Sequence, residues 1–332
     1  MSNSMSIEDD VNVENDAWYD YLLNVLAERK PKKARLVEDL MELLCIERES
    51  AYRRLRKDVS FSIEELVKIA LAWNVSLDEI IGVHSGKIPF MMHLVNYFDP
   101  SEQEVQFLQQ IAKSVDQIKK FPDMEFMNVC NKLPRSLYAG FAYLDQFHLF
   151  KWQYQYGEEN NIVPFSKSVI SERGLQLAAD YCQAIKQMPN MSYIWDRMIF
   201  EYLINDIQYF HSIRLITDEE KALIKKDLRD LLDYMLLVAS NGYFPETQNK
   251  VNLYISQLYI NTNYSYVYTP NTKVCFVQAF DRYKIHSYNT EMMTRFRTWM
   301  QLKRKTSTQI SEVDEKSRIG FFMKQQQLVD SM

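Results

Sequence analysis

The chain has 332 residues, of which 47% are hydrophobic and 13% aromatic, so it can bury a large core and is not a typical disordered protein. Seven Gly and nine Pro are few for a turn-rich sandwich or barrel, and abundant Leu, Met, Glu and Lys favour helix. The net charge of −5 disfavours a nucleic-acid partner only if the charge is evenly spread. We therefore expect a mostly α protein of two or three domains.

The amino terminus and the cysteines indicate a cellular compartment. MSNSMSIEDD is polar and acidic, unlike a secretory signal, and no apolar run approaches the roughly 20 residues that span a bilayer. We expect residues 1–14 to be an acidic disordered tail. The four cysteines lie far apart without zinc-site or disulfide spacing, so we expect buried, reduced thiols: Cys45, Cys130, Cys182 and Cys275. The sequence predicts a soluble, cytoplasmic protein with no membrane partner.

Positive charge is concentrated in one segment near the amino terminus. Residues 1–28 carry seven acidic residues and no Lys or Arg, whereas residues 29–57 carry ten Lys or Arg and five acidic residues. Half of those ten basic residues lie between Arg48 and Lys57. This concentration is typical of a nucleic-acid contact.

The same segment contains three predicted helices. Asn15 or Asp16 can cap the first, AWYDYLLNVLAERK, and a second covers about residues 34–44. A third, RESAYRRLRK, is short, amphipathic and strongly basic. The change in phase of the apolar residues near Cys45 predicts a turn between the second and third helices.

Two further helices follow, each with a capping-box signature. Ser62 with Glu65 begins one, and Ser76 with Glu79 begins the next. The order of the five helices, and above all SIEELVKIALAWNVSLDEIIG at 62–82, resembles the amino-terminal domain of XRE-type (phage repressor/Cro-like) helix-turn-helix transcriptional regulators. That family usually has Gly at the tight turn, where this chain has Leu44-Cys45-Ile46. The resemblance implies a DNA-binding domain at residues 15–88.

The resemblance also implies that the third helix, about Glu47–Lys57, lies in the DNA major groove. An arginine there can make a bidentate pair with guanine, while other basic side chains bind phosphates. The candidates for reading bases are Arg48, Ser50, Arg53 and Arg54. The candidates for binding phosphates are Lys32, Lys33, Arg56 and Lys57. The alternative is that RRLRK is only a solvated helix face.

A helical region is predicted for residues 89–245. Capping boxes and apolar spacing predict helices at 101–120, 123–132, 135–154, 169–187, 191–211 and 218–239. Aromatic residues are dense between 138 and 156, which fits a packed helix interface or, less well, the wall of a ligand pocket: Tyr138, Phe141, Tyr143, Phe147, Phe150, Trp152, Tyr154 and Tyr156.

Residues 246–332 are predicted to form a small α+β portion, either separate or as one unit with 89–245. VNLYISQLYI, YSYVYT and KVCFVQAF are rich in β-branched and aromatic residues, which predicts three strands of a short antiparallel sheet. Helical spacing returns after residue 290. This portion is where a small-molecule or protein effector, if the protein has one, is expected to bind, and where assembly is expected.

Catalytic motifs are missing from the sequence. The five histidines form no metal-ligand spacing, and no Ser or Cys lies in a nucleophile elbow, so we expect no enzyme, cofactor or metal site. The leading hypothesis is a transcriptional regulator that binds double-stranded DNA as a homodimer. The alternative is a protein–protein interaction or scaffold protein that carries a helix-turn-helix-like domain.

Overall fold

The computed structural model describes residues 17–30, 32–73, 75–82, 88, 90–92, 102–156, 163–168, 172–280 and 283–332. The chain divides into two compact units, Met1–Pro89 (unit 1) and Phe90–Met332 (unit 2). The predicted acidic tail, residues 1–14, lies outside the described residues. Among the described helices, none combines the length and apolar character needed to cross a membrane.

The described part of unit 1 consists of five short helices. They are α1 (Ala17–Arg29), α2 (Lys33–Leu44), α3 (Arg48–Leu55), α4 (Ile63–Trp73) and α5 (Leu77–Gly82). Helices this short are marginal alone in water, so burial of one apolar face stabilises each of them. The shared core includes Leu22, Val37, Leu40, Ala51 and Ile69, all at most 1% exposed.

An eight-stranded mixed sheet lies at the centre of unit 2, counted over the described residues. Its strands are β1 (Met91–Met92), β2 (Glu125–Cys130), β3 (Asn190–Asp196), β4 (Lys250–Ser256), β5 (Tyr264–Tyr268), β6 (Lys273–Ala279), β7 (Tyr283–Ser287) and β8 (Ser307–Gln309). The spatial order is β1-β7-β6-β5-β2-β3-β4-β8. The β2–β3 and β3–β4 pairs are parallel, and the remaining pairs are antiparallel.

Eight helices accompany this sheet in the described part of unit 2. They are α6 (Glu102–Ile118), α7 (Arg135–Tyr138), α8 (Ala142–Tyr156), α9 (Glu172–Lys186), α10 (Ile199–Ser212), α11 (Asp218–Asn241), α12 (Thr290–Lys305) and α13 (Glu315–Asp330). A capping box of Thr217 and Glu220 begins α11, as expected for the predicted helix 218–239, and Gly242 ends α11 in the left-handed conformation.

Both faces of the sheet are covered by helices. On β3, Tyr193 and Trp195 point into a large core shared with α8, α10, α11 and α13. Ile194 points to the opposite face, where Phe296 and Met300 of α12 pack. This alternation is the period-2 pattern of a strand buried on both sides, so unit 2 has an α/β/α layered arrangement.

The predicted fold class, mostly α with a short antiparallel sheet, is wrong. Residues 123–132, predicted as helix, contain β2, and the predicted helix 191–211 begins with most of β3. Strands buried on both faces lose the alternation of polar and apolar residues, so a short apolar run cannot be told from helix by periodicity.

The carboxyl-terminal strands are also arranged differently from the prediction. β5 and β6 form the expected antiparallel hairpin, with Tyr266 opposite Cys275. β4, however, pairs in parallel with β3, and three strands separate it from β6 in the sheet. Residues 246–332 therefore share one sheet with β2 and β3, within a single compact unit.

Candidate nucleic-acid interface

The segment predicted to be a helix-turn-helix consists, in the structure, of α2, a tight turn and α3. α2 ends at Leu44, and Cys45 adopts the left-handed conformation, with φ 54° and ψ 47°. The backbone N–H groups of Cys45 and Ile46 both donate to the carbonyl of Met41, which closes the turn. Cys45 occupies the conformation that favours glycine, at the turn where the resembled family usually has Gly.

Burial fixes which face of α3 points outward. Ala51 is fully buried against α1 and α2, while Arg48, Glu49 and Arg53 are exposed. We call these three residues the outer face of α3. Ser50 is half-buried. Of the four predicted base-reading residues, the structure therefore places Arg48 and Arg53 together on the solvent-accessible side.

Arg54 has a structural partner. Its guanidinium donates to the Glu65 carboxylate through Nε at 3.0 Å and Nη2 at 2.7 Å, and to the Ser50 carbonyl through Nη1 at 3.1 Å. Both side chains of the Arg54–Glu65 pair are only about one-sixth exposed, at 16% and 15%. The Arg54 guanidinium joins α3 to the start of α4 and does not lie on the outer face.

Glu65 was recognised from sequence only as half of a capping box, and that box is present. The Glu65 N–H donates to Ser62 Oγ at 3.2 Å, and the Ser62 N–H donates to Glu65 Oε2 at 2.9 Å. Burial raises the pKa of Glu65, but the bonds from Arg54 and Ser62 outweigh it, so the pKa lies below its usual value. The carboxylate thus has a second role that no local pattern shows.

The carboxyl end of α3 is anchored to α1 through a tyrosine. The Tyr19 hydroxyl donates to the carbonyl of Arg54 at 3.2 Å and accepts the N–H of Phe61 at 3.2 Å. The Tyr19 ring, 4% exposed, stacks on Phe61. α3 is therefore held at one end by the turn and at the other by α1 and α4.

The predicted phosphate-binding residues fall into two groups. Arg56 is paired with Glu49 at 2.7 Å and Asp58 at 3.0 Å, and these hydrogen bonds raise the pKa of Arg56. Lys57 is paired with Asp20. Lys32 and Lys33 are exposed and make no ion pair with any described residue. A phosphate can therefore approach the start of α2 without displacing a described carboxylate.

The surface around the outer face carries charges of both signs. Arg35, which sequence reasoning did not select, is exposed on α2 next to Lys32 and Lys33 in the chain. Exposed carboxylates lie on the same two helices, and Glu38 Oε1 is 3.9 Å from Arg48 Nη2. The positive charge that the sequence concentrates in this segment is thus partly neutralised locally.

Within the described ranges, the cysteines and the potential metal ligands add no second candidate site. All four cysteines are free thiols, and three are buried as expected, but Cys45 is exposed because the turn places it outside the core. No cluster of three or more His, Cys, Asp or Glu residues in these ranges could hold a metal ion.

Comparison with known proteins gives no assignment. No protein-family model matches the chain, and neither the curated proteins nor the solved structures give a significant match. The function is therefore inferred from the residues and their geometry.

Proposed function

We propose that the protein is a cytoplasmic, sequence-specific DNA-binding transcriptional regulator that inserts α3 into the major groove. The observation that carries the proposal is the pairing of a helix-turn-helix with an outer face that presents Arg48 and Arg53. An α-helix fits the major groove, and an arginine there can donate two hydrogen bonds to the acceptor edge of guanine. Lys32, Lys33 and Arg35 supply phosphate contacts at the start of α2.

Fewer residues are available to contact DNA bases and phosphates than the sequence suggested. Arg54 is engaged by Glu65, and Arg56 and Lys57 are engaged by carboxylates of their own unit. We therefore assign base reading to Arg53 and to Arg48, whose contact with Glu38 is long, at 3.9 Å, and exposed, with Ser50 at the border of the contact. Phosphate binding is assigned to Lys32, Lys33 and Arg35.

We also propose that the regulator binds as a homodimer. One helix of eight residues contacts few base pairs, and operators of this kind are read as two half-sites about one helical turn apart. An exposed apolar stripe on α4 supports self-association: Ile63 is 81% exposed, Val67 42% and Leu71 81%. These residues are four apart, so they lie on one helix face.

The dimer is tested by sedimentation equilibrium of the full chain and of Leu71→Glu. The stripe predicts that the variant becomes monomeric at concentrations where the original chain is dimeric. A dimer that survives the substitution would place the self-association elsewhere.

A protein partner is the second candidate. Glu38, Glu42, Glu47 and Glu49 are exposed on or beside α2 and α3, and carboxylates repel the DNA backbone. On this hypothesis the helix-turn-helix binds another protein through its mixed positive and negative surface charges. The outer face of α3 would then contact that protein instead of DNA.

The deciding experiment is selection of random double-stranded DNA by the full-length protein, followed by affinity measurements at several salt concentrations. Two base contacts worth about 1 kcal/mol each predict that Arg48→Ala with Arg53→Ala weakens cognate binding by about 30-fold or more. The matched control is Arg295→Ala, which removes an exposed arginine of unit 2 and leaves affinity unchanged. Absence of salt-dependent DNA binding, or unchanged affinity of the double variant, would overturn the proposal and favour the protein partner.

A further inference from the structure

The last turn of α12 carries three consecutive basic residues that pair with no carboxylate in the described part of the chain: Lys303, Arg304 and Lys305. Lys305 is exposed, and the other two are partly exposed. The carboxyl end of a helix attracts cations, but its dipole corresponds to only about half an elementary negative charge. The dipole therefore offsets a small part of three positive charges, and this end of α12 has an excess of positive charge.

The earlier basic residues of α12 are already paired. Arg295 binds Glu291, four residues before it, at 2.7 Å, and Arg297 binds Glu125 at the start of β2 at 2.5 Å. Burial raises the pKa of Glu125, but the bonds and the charge of Arg297 outweigh it and hold the pKa below its usual value, with a smaller contribution from Arg304. Each of these two carboxylates thus has an arginine of its own, and neither compensates the last turn.

Exposed apolar side chains lie on the same side of the helix. Trp299 is 37% exposed and Leu302 is 55% exposed. Lys305 follows Leu302 by three residues, and Lys303 Nζ lies 5.9 Å from the centre of the Trp299 ring. Residues three and four apart are neighbours on a helix surface, so these side chains are contiguous. We call Trp299, Leu302, Lys303 and Lys305 the α12 patch.

The core beneath α12 fixes the aromatic part of the patch. The centre of the Trp299 ring lies 4.9 Å from that of Tyr264 and 6.1 Å from that of Phe296. Phe296 and Met300 are themselves buried against the sheet. Part of the Trp299 ring is therefore held in place while the rest meets solvent. A side chain that is already ordered loses little conformational entropy when a partner covers it.

The composition of the patch selects among anionic partners. A phosphate backbone would use the lysines but leave Leu302, the most exposed apolar side chain of the patch, without a contact. A bilayer could bury Leu302, but two partly exposed apolar side chains fall short of an anchor, since even one myristoyl chain binds membranes only marginally. A protein uses both features, because tryptophan is enriched among the residues that dominate interfaces and charges at the rim pair with opposite charges.

We propose that the α12 patch binds an acidic, amphipathic peptide segment of a partner protein. Apolar side chains of that segment lie against Trp299 and Leu302, and its carboxylates lie against Lys303 and Lys305. Trp299 and Lys305 are about 9 Å apart along the helix axis, which matches about two turns of a partner helix. The site is independent of the proposed DNA binding, because all four residues belong to unit 2.

The test is titration of the full-length protein, without DNA, into a fluorescent acidic peptide followed by fluorescence anisotropy. The peptide has about 12 residues, with leucines at helical spacing and glutamates elsewhere. Two relatives each lack one feature: glutamine replaces glutamate in one, and serine replaces leucine in the other. At an ionic strength of about 0.15 M we expect saturable binding with a dissociation constant below about 100 μM, and at least about tenfold weaker binding of both relatives.

Variants place the binding on the α12 patch. Lys303→Gln with Lys305→Gln, and separately Leu302→Gln, should each weaken peptide binding about tenfold. The matched control is Lys316→Gln with Lys324→Gln, which removes two exposed lysines of α13 and should leave the binding unchanged. Leu302 is more than half exposed, so unchanged thermal unfolding of Leu302→Gln shows that its loss of binding is not a loss of fold.

A further control separates this site from the outer face of α3, which also presents arginines. Arg48→Ala with Arg53→Ala should bind the peptide as the original chain does. Loss of peptide binding in that variant would place the peptide on unit 1 and overturn the proposal. Because DNA is absent from the titration, failure of the α12 patch to bind the peptide does not bear on the DNA-binding proposal.

Other results would also overturn the proposal: no saturable binding up to about 1 mM, equal binding of the glutamine peptide, or an equal loss in the α13 control. The same titration with oligothymidylate and with vesicles that contain phosphatidylserine covers the other anionic partners. Tighter binding of either one, lost in the variant Lys303→Gln with Lys305→Gln, would assign the patch to nucleic acid or to lipid instead.

Discussion

The two units place their buried polar side chains in different roles. In unit 1, the Arg54–Glu65 pair and the Tyr19 hydroxyl join neighbouring helices and hold α3 in position. In unit 2, Asn263 and Asp196 join loops that follow different strands of the sheet. In unit 1 the buried polar groups thus fix helices against one another, and in unit 2 they fix loops at the carboxyl ends of the strands.

The largest expected effect comes from the most deeply buried ion pair among the described residues of unit 2. Arg135 of α7 donates to both carboxylate oxygens of Asp145 at 3.0 Å, and Asp145 is fully buried. Arg135→Met leaves that carboxylate uncompensated, so we expect the free energy of unfolding to fall by about 3–5 kcal/mol. The loss of unfolding free energy is measured by urea unfolding, with hydrogen exchange of the β2 and β3 amides as the readout for unit 2.

Two controls separate burial from charge. Arg135→Met with Asp145→Leu removes both charges and should recover most of the loss. Arg229→Met breaks the exposed pair with Asp330 and should change the free energy of unfolding by less than about 1 kcal/mol. Equal effects of Arg135→Met and Arg229→Met would show that the buried polar contacts of unit 2 do not stabilise it.

The second prediction tests whether Arg54 is structural. Arg54→Met leaves Glu65 partly buried without its guanidinium, so we expect unit 1 to lose about 2–3 kcal/mol. Arg53→Met, on the outer face, should change the stability by no more than about 0.5 kcal/mol. Hydrogen exchange of α3 and α4 in the full chain reports both values. A larger loss for Arg53 than for Arg54 would reverse the roles assigned to these neighbours.

Sequence reasoning located the helices of unit 1 because their signals are local. The capping box of Ser62 and Glu65 and the apolar spacing of α2 lie within a few residues. That Glu65 also binds Arg54 depends on how α3 packs beside α4, which no local pattern contains. The sequence therefore indicated a basic third helix correctly and overestimated how many of its arginines face outward.

The fold of unit 2 was less accessible because its signals are non-local. The β2 and β3 strands are buried on both faces, which removes the alternation that identifies a strand. The arrangement of the loops at the ends of the strands depends on contacts such as that of Asn131 with Asn263, which lie 132 residues apart. Of the aromatic residues noted between 138 and 156, Tyr138, Phe147 and Phe150 pack in the core. Tyr138 also lines, together with Trp152, a pocket at the carboxyl ends of β2, β3 and β4.

The turn of the helix-turn-helix offers a smaller test within unit 1. Cys45 has φ 54°, a conformation unfavourable by about 1–2 kcal/mol for residues other than glycine. Cys45→Gly removes that strain but adds freedom to the unfolded chain, so we expect a net gain of about 0.5–1 kcal/mol. Cys45→Ala keeps the strain and should give no gain. Thermal unfolding of both variants compares them, and a destabilised glycine variant would contradict the role of the turn.

The smallest expected effect concerns how the stability of each unit changes with pH. Burial raises the pKa of Asp227 in unit 2, although the N–H groups of Leu144 and Tyr143 bond to it. Its folded form binds a proton more tightly than its unfolded form, so its contribution to stability falls as the pH rises through its titration. The pKa of Glu65 in unit 1 is lowered, so its effect on stability has the opposite dependence on pH: its contribution is lost as the pH falls.

The variant Asp227→Asn tests this contrast. The asparagine keeps an oxygen acceptor for both N–H groups, and after solvent screening we expect the variant to stabilise unit 2 by only a few tenths of a kcal/mol at pH 7. Unfolding measured from acid to neutral pH should show this gain vanish once Asp227 is protonated, and a gain that persists in acid would point to packing instead of charge.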